Sequence, residues 1–321
     1  MHIHALSDDK MRPDIARAFA HIASGGGLPE PDLADPIAIM RRFVDIYGDV
    51  DPRAPLDGVE IRSVQAGGVP AEWISPQQPG PGDRLVYLHG GGWVAGGLQS
   101  HRPIVAALAC LARTDILLVD YRLAPEHPFP AGLEDCERAF AWAEANGPEG
   151  PSPARRLYLA GDSAGGNLAA SLCQRAIAKG SRVPDRMVLL SAVLDAQSNP
   201  ARGGGAHVDA NQDGLELVLD LYLQGATRPD DPAVSPIHTP EAVLAHFPPC
   251  LLQVSEAEYL LWDSQAFAGR LQGAGCQSTL SVWPSMPHVW HAFLDLLPEA
   301  RCALEDIADF LQAAPAAPPS N

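Results

Sequence analysis

A chain of 321 residues with 46% hydrophobic and 19% charged residues has the composition of a packed globular protein, which excludes a disordered or fibrous one. Its 22 Lys and Arg stand against 39 Asp and Glu, a formal charge of −17. That charge opposes binding to nucleic acid or anionic lipid and leaves a small molecule as the expected partner.

The six cysteines, Cys110, Cys136, Cys173, Cys250, Cys276 and Cys302, are scattered and contain no CxxC pair, so neither a zinc site nor a disulfide framework is expected. The first residues, MHIHALSDDKMRPD, lack the apolar core of a signal peptide, and no run of 18 apolar residues occurs. No stable membrane insertion is therefore expected, and the expected location is cytoplasmic. His2 and His4 have HxH spacing, but a free terminus is a poor metal site and no metal is expected there.

Taken in chain order, Ile15, Phe19 and Ile22 share one face of a first helix. Asp35 and Pro36, in the cap-then-proline order of a helix start, open a second that carries Ile39, Phe43, Ile46 and Tyr47 along one side as far as Gly48. The stretch Pro76–Gly82 reads as a turn. Beyond it, short apolar runs at Leu85–Leu88, Ile116–Val119, Leu157–Ala160, Met187–Leu190, Leu251–Val254 and Leu280–Trp283 suit buried parallel strands. Between them, His101–Leu111, Leu133–Asn146 and Asn167–Lys179 suit crossover helices, which gives an α/β fold with a mostly parallel, doubly wound sheet. Residues 51–321 form the expected core. Residues 1–50 and an insertion at about 197–226, a Gly-rich loop followed by the apolar helix Leu215–Leu223, are expected to cap the sheet's active edge.

Chemistry concentrates at Gly161-Asp-Ser163-Ala-Gly165, a GxSxG between an apolar strand and a helix of small residues. The glycines allow a tight strand-to-helix turn that holds Ser163 strained and outward, as a nucleophile elbow requires. Upstream, the strand at Leu85 runs into His89-Gly-Gly-Gly-Trp93. Unobstructed backbone N–H groups there suit an oxyanion hole, and no Lys-Ser/Thr follows to make a P-loop. A serine needs a base, and the elbow's chain order of nucleophile, acid, histidine leaves His207, His238, His246, His288 and His291. His288 directly follows the last strand, where a loop brings it over the elbow, whereas His291 opens the next helix and reads as structural. The acid should leave the strand Leu251–Val254, whose exit offers Glu256, Glu258 and Asp263, and spacing alone does not choose among them.

Four motifs together carry a resemblance. They are His89-Gly-Gly-Gly-Trp93; Asp120-Tyr-Arg-Leu-Ala-Pro-Glu126 with Pro128-Phe-Pro130-Ala131; Gly161-Asp-Ser-Ala-Gly-Gly-Asn167; and Asp231-Pro-Ala-Val-Ser-Pro236. Across about residues 80–300 the chain resembles the hormone-sensitive-lipase-like family of bacterial carboxylesterases. The resemblance implies an α/β-hydrolase fold with a helical cap, Ser163 as nucleophile, His288 as base, and oxyanion donors on the N–H groups of Gly91, Gly92 and Ala164. His89 is then architectural. Laying the family's DPLxDE pattern on Glu258-Tyr-Leu-Leu-Trp-Asp263 puts the acid at Glu258, a Glu in place of the commoner Asp.

The implied activity is hydrolysis of short- to medium-chain acyl esters through an acyl-enzyme, without metal or cofactor. Trp93, Leu215 and Tyr222 are the expected pocket walls. Arg122 and Glu126 are expected to form a loop-fixing ion pair, and Asp162 to brace the elbow turn. Two other functions fit the same fold, an amidase or deacetylase and a non-catalytic small-ligand receptor. The presence of His288 counts against the receptor. Dimerisation through a sheet edge, frequent in the family, allows a homodimer.

Overall fold

The computed structural model describes residues 2–3, 12–24, 35–45, 47–48, 56–202 and 212–314. Expectations placed on Met1, His4, Ile46 and the Gly-rich stretch 203–211 lie outside these residues, as do the side chains of Phe19 and Ile22. In chain order the strands are β1 (His2–Ile3), β2 (Val59–Ala66), β3 (Val69–Pro76), β4 (Asp83–Leu88), β5 (Asp115–Val119), β6 (Asn146–Gly147), β7 (Gly150–Pro151), β8 (Arg156–Asp162), β9 (Met187–Leu190), β10 (Cys250–Ser255) and β11 (Ser278–Trp283). The helices are α1 (Pro13–Ser24), α2 (Pro36–Asp45), α3 (Leu98–Ala112), α4 (Ala131–Ala145), α5 (Ala164–Lys179), α6 (Gln212–Leu223), α7 (Glu241–Leu244), α8 (Leu261–Gly273) and α9 (Pro298–Gln312).

Nine strands form one sheet in the order β1-β11-β10-β9-β8-β4-β5-β3-β2. Pairing is parallel from β1 through β5, and antiparallel where β3 meets β5 and β2 meets β3. The short β6 and β7 pair separately. The near-continuous apolar strands follow from burial of both faces. In β4, Val86 and Leu88 enter the core shared with α4, α5 and α8, while Leu85 and Tyr87 enter the core shared with α3 and α9. Each fully buried aliphatic side chain contributes about 1.5–3 kcal/mol.

Sequence reading placed every parallel strand from β4 to β11, but it missed the β2–β3 hairpin and β1. The hairpin turns through Gly67 and Gly68, at φ 63° and 85°, the pair of positive-φ residues that a tight hairpin demands. That Gly-Gly signal was in the chain, but β2 is an edge strand with an intermediate-to-exposed surface, so it lacks the unbroken apolar run of its neighbours. No helix among the described residues is long and apolar enough to cross a membrane.

The two N-terminal helices do different work. Ile15 and Ala18 of α1 pack with Trp283, Met286, Trp290 and Phe293 beneath the segment that follows β11. Helix α2 instead contributes Met40, Phe43 and Val44 to a cavity above the sheet, opposite Leu215 and Val218 of α6.

Candidate active site

Because β4, β8, β10 and β11 run parallel, the segments leaving them emerge at one edge of the sheet, the position at which open α/β sheets build their sites. Ser163 leaves β8 as the N-terminal cap of α5 with φ 50° and ψ −118°, a conformation costing a non-glycine residue about 1–3 kcal/mol. It is held there by Ser163 N donating to Leu190 O at 2.8 Å, and by its own carbonyl accepting Asn167 N and Val193 N, each at 3.2 Å. The glycines are steric necessities. A Cβ on Gly161 would stand 2.4 Å from Gly165 O, and one on Gly165 would stand 2.0 Å from Leu88 O.

His288, five residues beyond β11, reaches back over this turn. Its Nε2 lies 3.0 Å from Ser163 Oγ, and its Nδ1 lies 2.6 Å from Glu258 Oε2. A carboxylate only accepts, so Nδ1 carries the proton and Nε2 presents its lone pair to the serine hydroxyl. Glu258 is 5% exposed; its other oxygen, Oε1, accepts Ser191 Oγ at 2.7 Å and Ser255 N at 2.9 Å. The three carboxylates at this exit thus separate by environment. Glu256 points to solvent, and Asp263 forms a fully buried ion pair with Arg202 while accepting Leu194 N and Asp195 N at 2.8 and 3.0 Å. His291 is also removed from the chemistry: it is buried against Gln253 at 2.8 Å and its pKa is pushed down to about 3 by desolvation.

The glycine loop after β4 lies beside the serine. Gly91 has φ 116° and Gly92 φ 61°, and both line the same cavity as Ser163 and His288. Among the described residues, the amides of Gly91, Gly92 and Ala164 donate to no protein acceptor. Asp162, expected to brace the elbow turn, ties the end of β8 to β4, to the glycine loop and to α3. It accepts Tyr87 OH at 2.9 Å and Gly90 N at 3.1 Å, and lies 3.4 Å from His101 Nε2. Burial raises the Asp162 carboxyl, but the charge and hydrogen bond of His101 with the hydrogen bond of Tyr87 hold it below the usual range. His89 is buried, stacked 4.2 Å from Tyr121, and pushed down to about 3 by desolvation and then by His101. It is a neutral part of the frame.

The cavity has a volume of about 250 Å3 and is walled chiefly by Met40, Phe43, Ile104, Val193, Leu215 and Leu260. Of the three expected pocket walls only Leu215 lines it. Trp93 and Tyr222 are corrected to a buried stack, 4.6 Å apart and 7° from parallel, because their large faces gain more by covering one another between the glycine loop and α6 than by facing the cavity. The expected Arg122–Glu126 pair is also corrected. Arg122 pairs with Asp135 on α4 at 2.8 Å, and Glu126 pairs with Arg41 on α2 at 2.6 Å. Sequence reasoning missed Arg41 and Ser191, and it read Tyr47, whose hydroxyl donates to the His288 carbonyl, only as part of a helix face. None stands in a recognisable motif.

Comparison with known proteins shows the family and the fold. The model of the family described as having the alpha/beta hydrolase fold matches residues 85–292. An acetyl-hydrolase of Streptomyces hygroscopicus is 36% identical over 260 residues, 78% of this chain and 82% of that protein. The carboxylesterase/phospholipase LipF of Mycobacterium tuberculosis is 33% identical over 303 residues, 88% of this chain and 76% of that one. The crystal structure of an esterase from the bacterial hormone-sensitive lipase family matches with a TM-score of 0.83 at 34% identity, over 94% of this chain and 98% of that chain. With its elbow, glycine loop and sheet order, the chain belongs to the α/β-hydrolase family, within the hormone-sensitive-lipase-like group of esterases.

Proposed function

We propose that Ser163, His288 and Glu258 act together in two-step acyl transfer on short- to medium-chain acyl esters. The protein is a carboxylic ester hydrolase. The observation that carries the residue roles is the continuous chain Ser163 Oγ, His288 Nε2, His288 Nδ1, Glu258 Oε2, with links of 3.0 and 2.6 Å. His288 takes the hydroxyl proton as Ser163 Oγ bonds to the ester carbonyl carbon. The oxygen that becomes negative accepts the N–H groups of Gly91, Gly92 and Ala164, and Glu258 stabilises the imidazolium. The proton then passes to the departing alcohol, leaving an acyl-serine. Water, deprotonated by His288, attacks that acyl group, and the proton returns to Ser163 as the acid leaves.

Helices α2 and α6 supply apolar walls from two sides, which supports reading them as the cap under which the acyl or alcohol group enters. The six free thiols favour a reducing, cytoplasmic setting. Preference for acetyl over longer acyl groups is a second reading, favoured by the relative named acetyl-hydrolase. Turnover of p-nitrophenyl acetate and butyrate tests both readings. Wild-type activity no greater than that of Ser163→Ala removes the esterase assignment, and a fluorophosphonate label found on any other serine removes the nucleophile. An acetate-to-butyrate ratio in kcat/KM above about tenfold selects the acetyl reading.

A further inference from the structure

Resting on the assignment of Glu258 as the triad acid, we infer that Ser191 is a positioning residue for the reaction, setting which oxygen of Glu258 meets His288. Ser191 follows β9, is fully buried, and adopts φ 45°. Its backbone is fixed by Ser191 N donating to Gln253 O at 2.8 Å. Its hydroxyl donates to Glu258 Oε1 at 2.7 Å and accepts Val289 N, the amide next to the base, at 3.4 Å. One buried oxygen therefore joins the acid to the loop that carries the histidine.

The need for it follows from the length of glutamate. A Glu has one more rotatable bond than an Asp, so its carboxylate is less well placed by the backbone alone. Ser255 N at 2.9 Å and Ser191 Oγ occupy Oε1 together, and this leaves Oε2 alone to face Nδ1. Both donors also solvate a carboxylate that would otherwise be buried with one unsatisfied oxygen site. The hydroxyl touches neither substrate nor nucleophile and acts only through Glu258 and the His288 loop.

The test is a double-mutant cycle on the whole chain with p-nitrophenyl butyrate, using Ser191→Ala, Glu258→Gln and the double variant. Ser191→Gly accompanies them because it removes the hydroxyl while relieving the positive φ. The expected result is a fall in kcat of about tenfold for both Ser191 variants with KM unchanged. The acidic limb of the kcat/KM profile should move to higher pH, because the lost donor no longer stabilises the charged carboxylate. In the Glu258→Gln background, removal of Ser191 Oγ should change kcat by less than about twofold. A Ser191→Gly enzyme with wild-type kcat and pH profile overturns the inference, as does a full additional loss in the Glu258→Gln background. A Glu258→Gln enzyme with wild-type activity is a different outcome, and it overturns the triad assignment itself.

Discussion

Arg41 on α2 and Glu126, in the segment after β5, meet in a two-armed pair, Nη1 to Oε1 at 2.9 Å and Nη2 to Oε2 at 2.6 Å. The same guanidinium donates through Nε to Val94 O at 2.9 Å and through Nη2 to Ala124 O at 3.3 Å. Only Trp93 separates Val94 from Gly92, so this one side chain fixes α2 to the loop whose amides are proposed as oxyanion donors. Its partner is half exposed, and the ion pair itself is screened to no more than about 1 kcal/mol. Arg41→Ala should therefore leave thermal unfolding nearly unchanged while lowering kcat/KM by about tenfold, as a loosened donor loop stabilises the developing charge less well. Steady-state kinetics beside a melting curve separates the two effects, and a large loss of stability with unaltered kinetics contradicts it.

The three carboxylates that follow β10 should fail in three different ways. Glu258→Gln keeps the shape but loses the charge facing His288, and kcat should fall by about 10³–10⁴. Asp263→Asn breaks the buried pair with Arg202 and should cost about 3–5 kcal/mol in urea unfolding, with a smaller effect on kcat in the protein that remains folded. Glu256→Gln touches only solvent and should change kcat by less than about twofold. Parallel kinetics and unfolding curves on the three variants check this ordering. A dominant kinetic loss at Asp263 would reassign the acid.

Tyr222 and Leu215 lie on one helix and should answer differently. The Tyr222 hydroxyl is buried with no partner among the described residues, so Tyr222→Phe keeps the stack on Trp93, removes an unsatisfied group, and should raise stability by up to about 1 kcal/mol. Leu215→Trp projects bulk into the cavity. It should lower kcat/KM for p-nitrophenyl esters of six or more carbons by about tenfold relative to acetate. Chain-length profiles of the two variants decide it, and a profile moved by Tyr222→Phe would return that residue to the pocket.

Acid should unfold the protein through its buried histidines. Desolvation holds His89 and His291 at about 3, whereas both titrate near 6.5 once unfolded. Between those values the unfolded chain binds the extra protons, so the stability is fully present above about pH 6.5 and is lost as pH falls toward 3. Each residue contributes a slope of about 1.4 kcal/mol per pH unit in that window. Urea unfolding of the wild type at pH 7, 6 and 5, beside His291→Gln, should show the variant's slope reduced by about that amount. An unfolding midpoint that does not change from pH 7 to pH 5 refutes the account.

Much of the sheet was legible because its strands are buried on both faces, which writes an uninterrupted apolar run for each. The edge hairpin was not, since Val59–Ala66 buries little of its surface and its signal reduced to Gly67-Gly68. Trp93 ends the glycine-loop motif and Tyr222 lies in the expected cap helix, which makes both expected pocket walls. Only packing shows that they cover each other.

The sequence by itself singled out Ser163, His288 and the glycine loop as candidates, because each depends on local backbone rules: a turn in which Gly161 and Gly165 leave no room for a Cβ, a loop of bare amides, and a histidine in the segment that follows the last strand. The family pattern already pointed to Glu258, and tertiary structure supplied the physical difference between it and its neighbours. Glu256, Glu258 and Asp263 are chemically near-equivalent in a one-dimensional chain. They become different when folding exposes the first, leaves the second facing Nδ1 of His288, and buries the third against Arg202. Ser191 and Arg41 have no local signature either, because their hydrogen bonds reach residues distant in the chain, Glu258 and Val289 for Ser191 and Val94, Ala124 and Glu126 for Arg41.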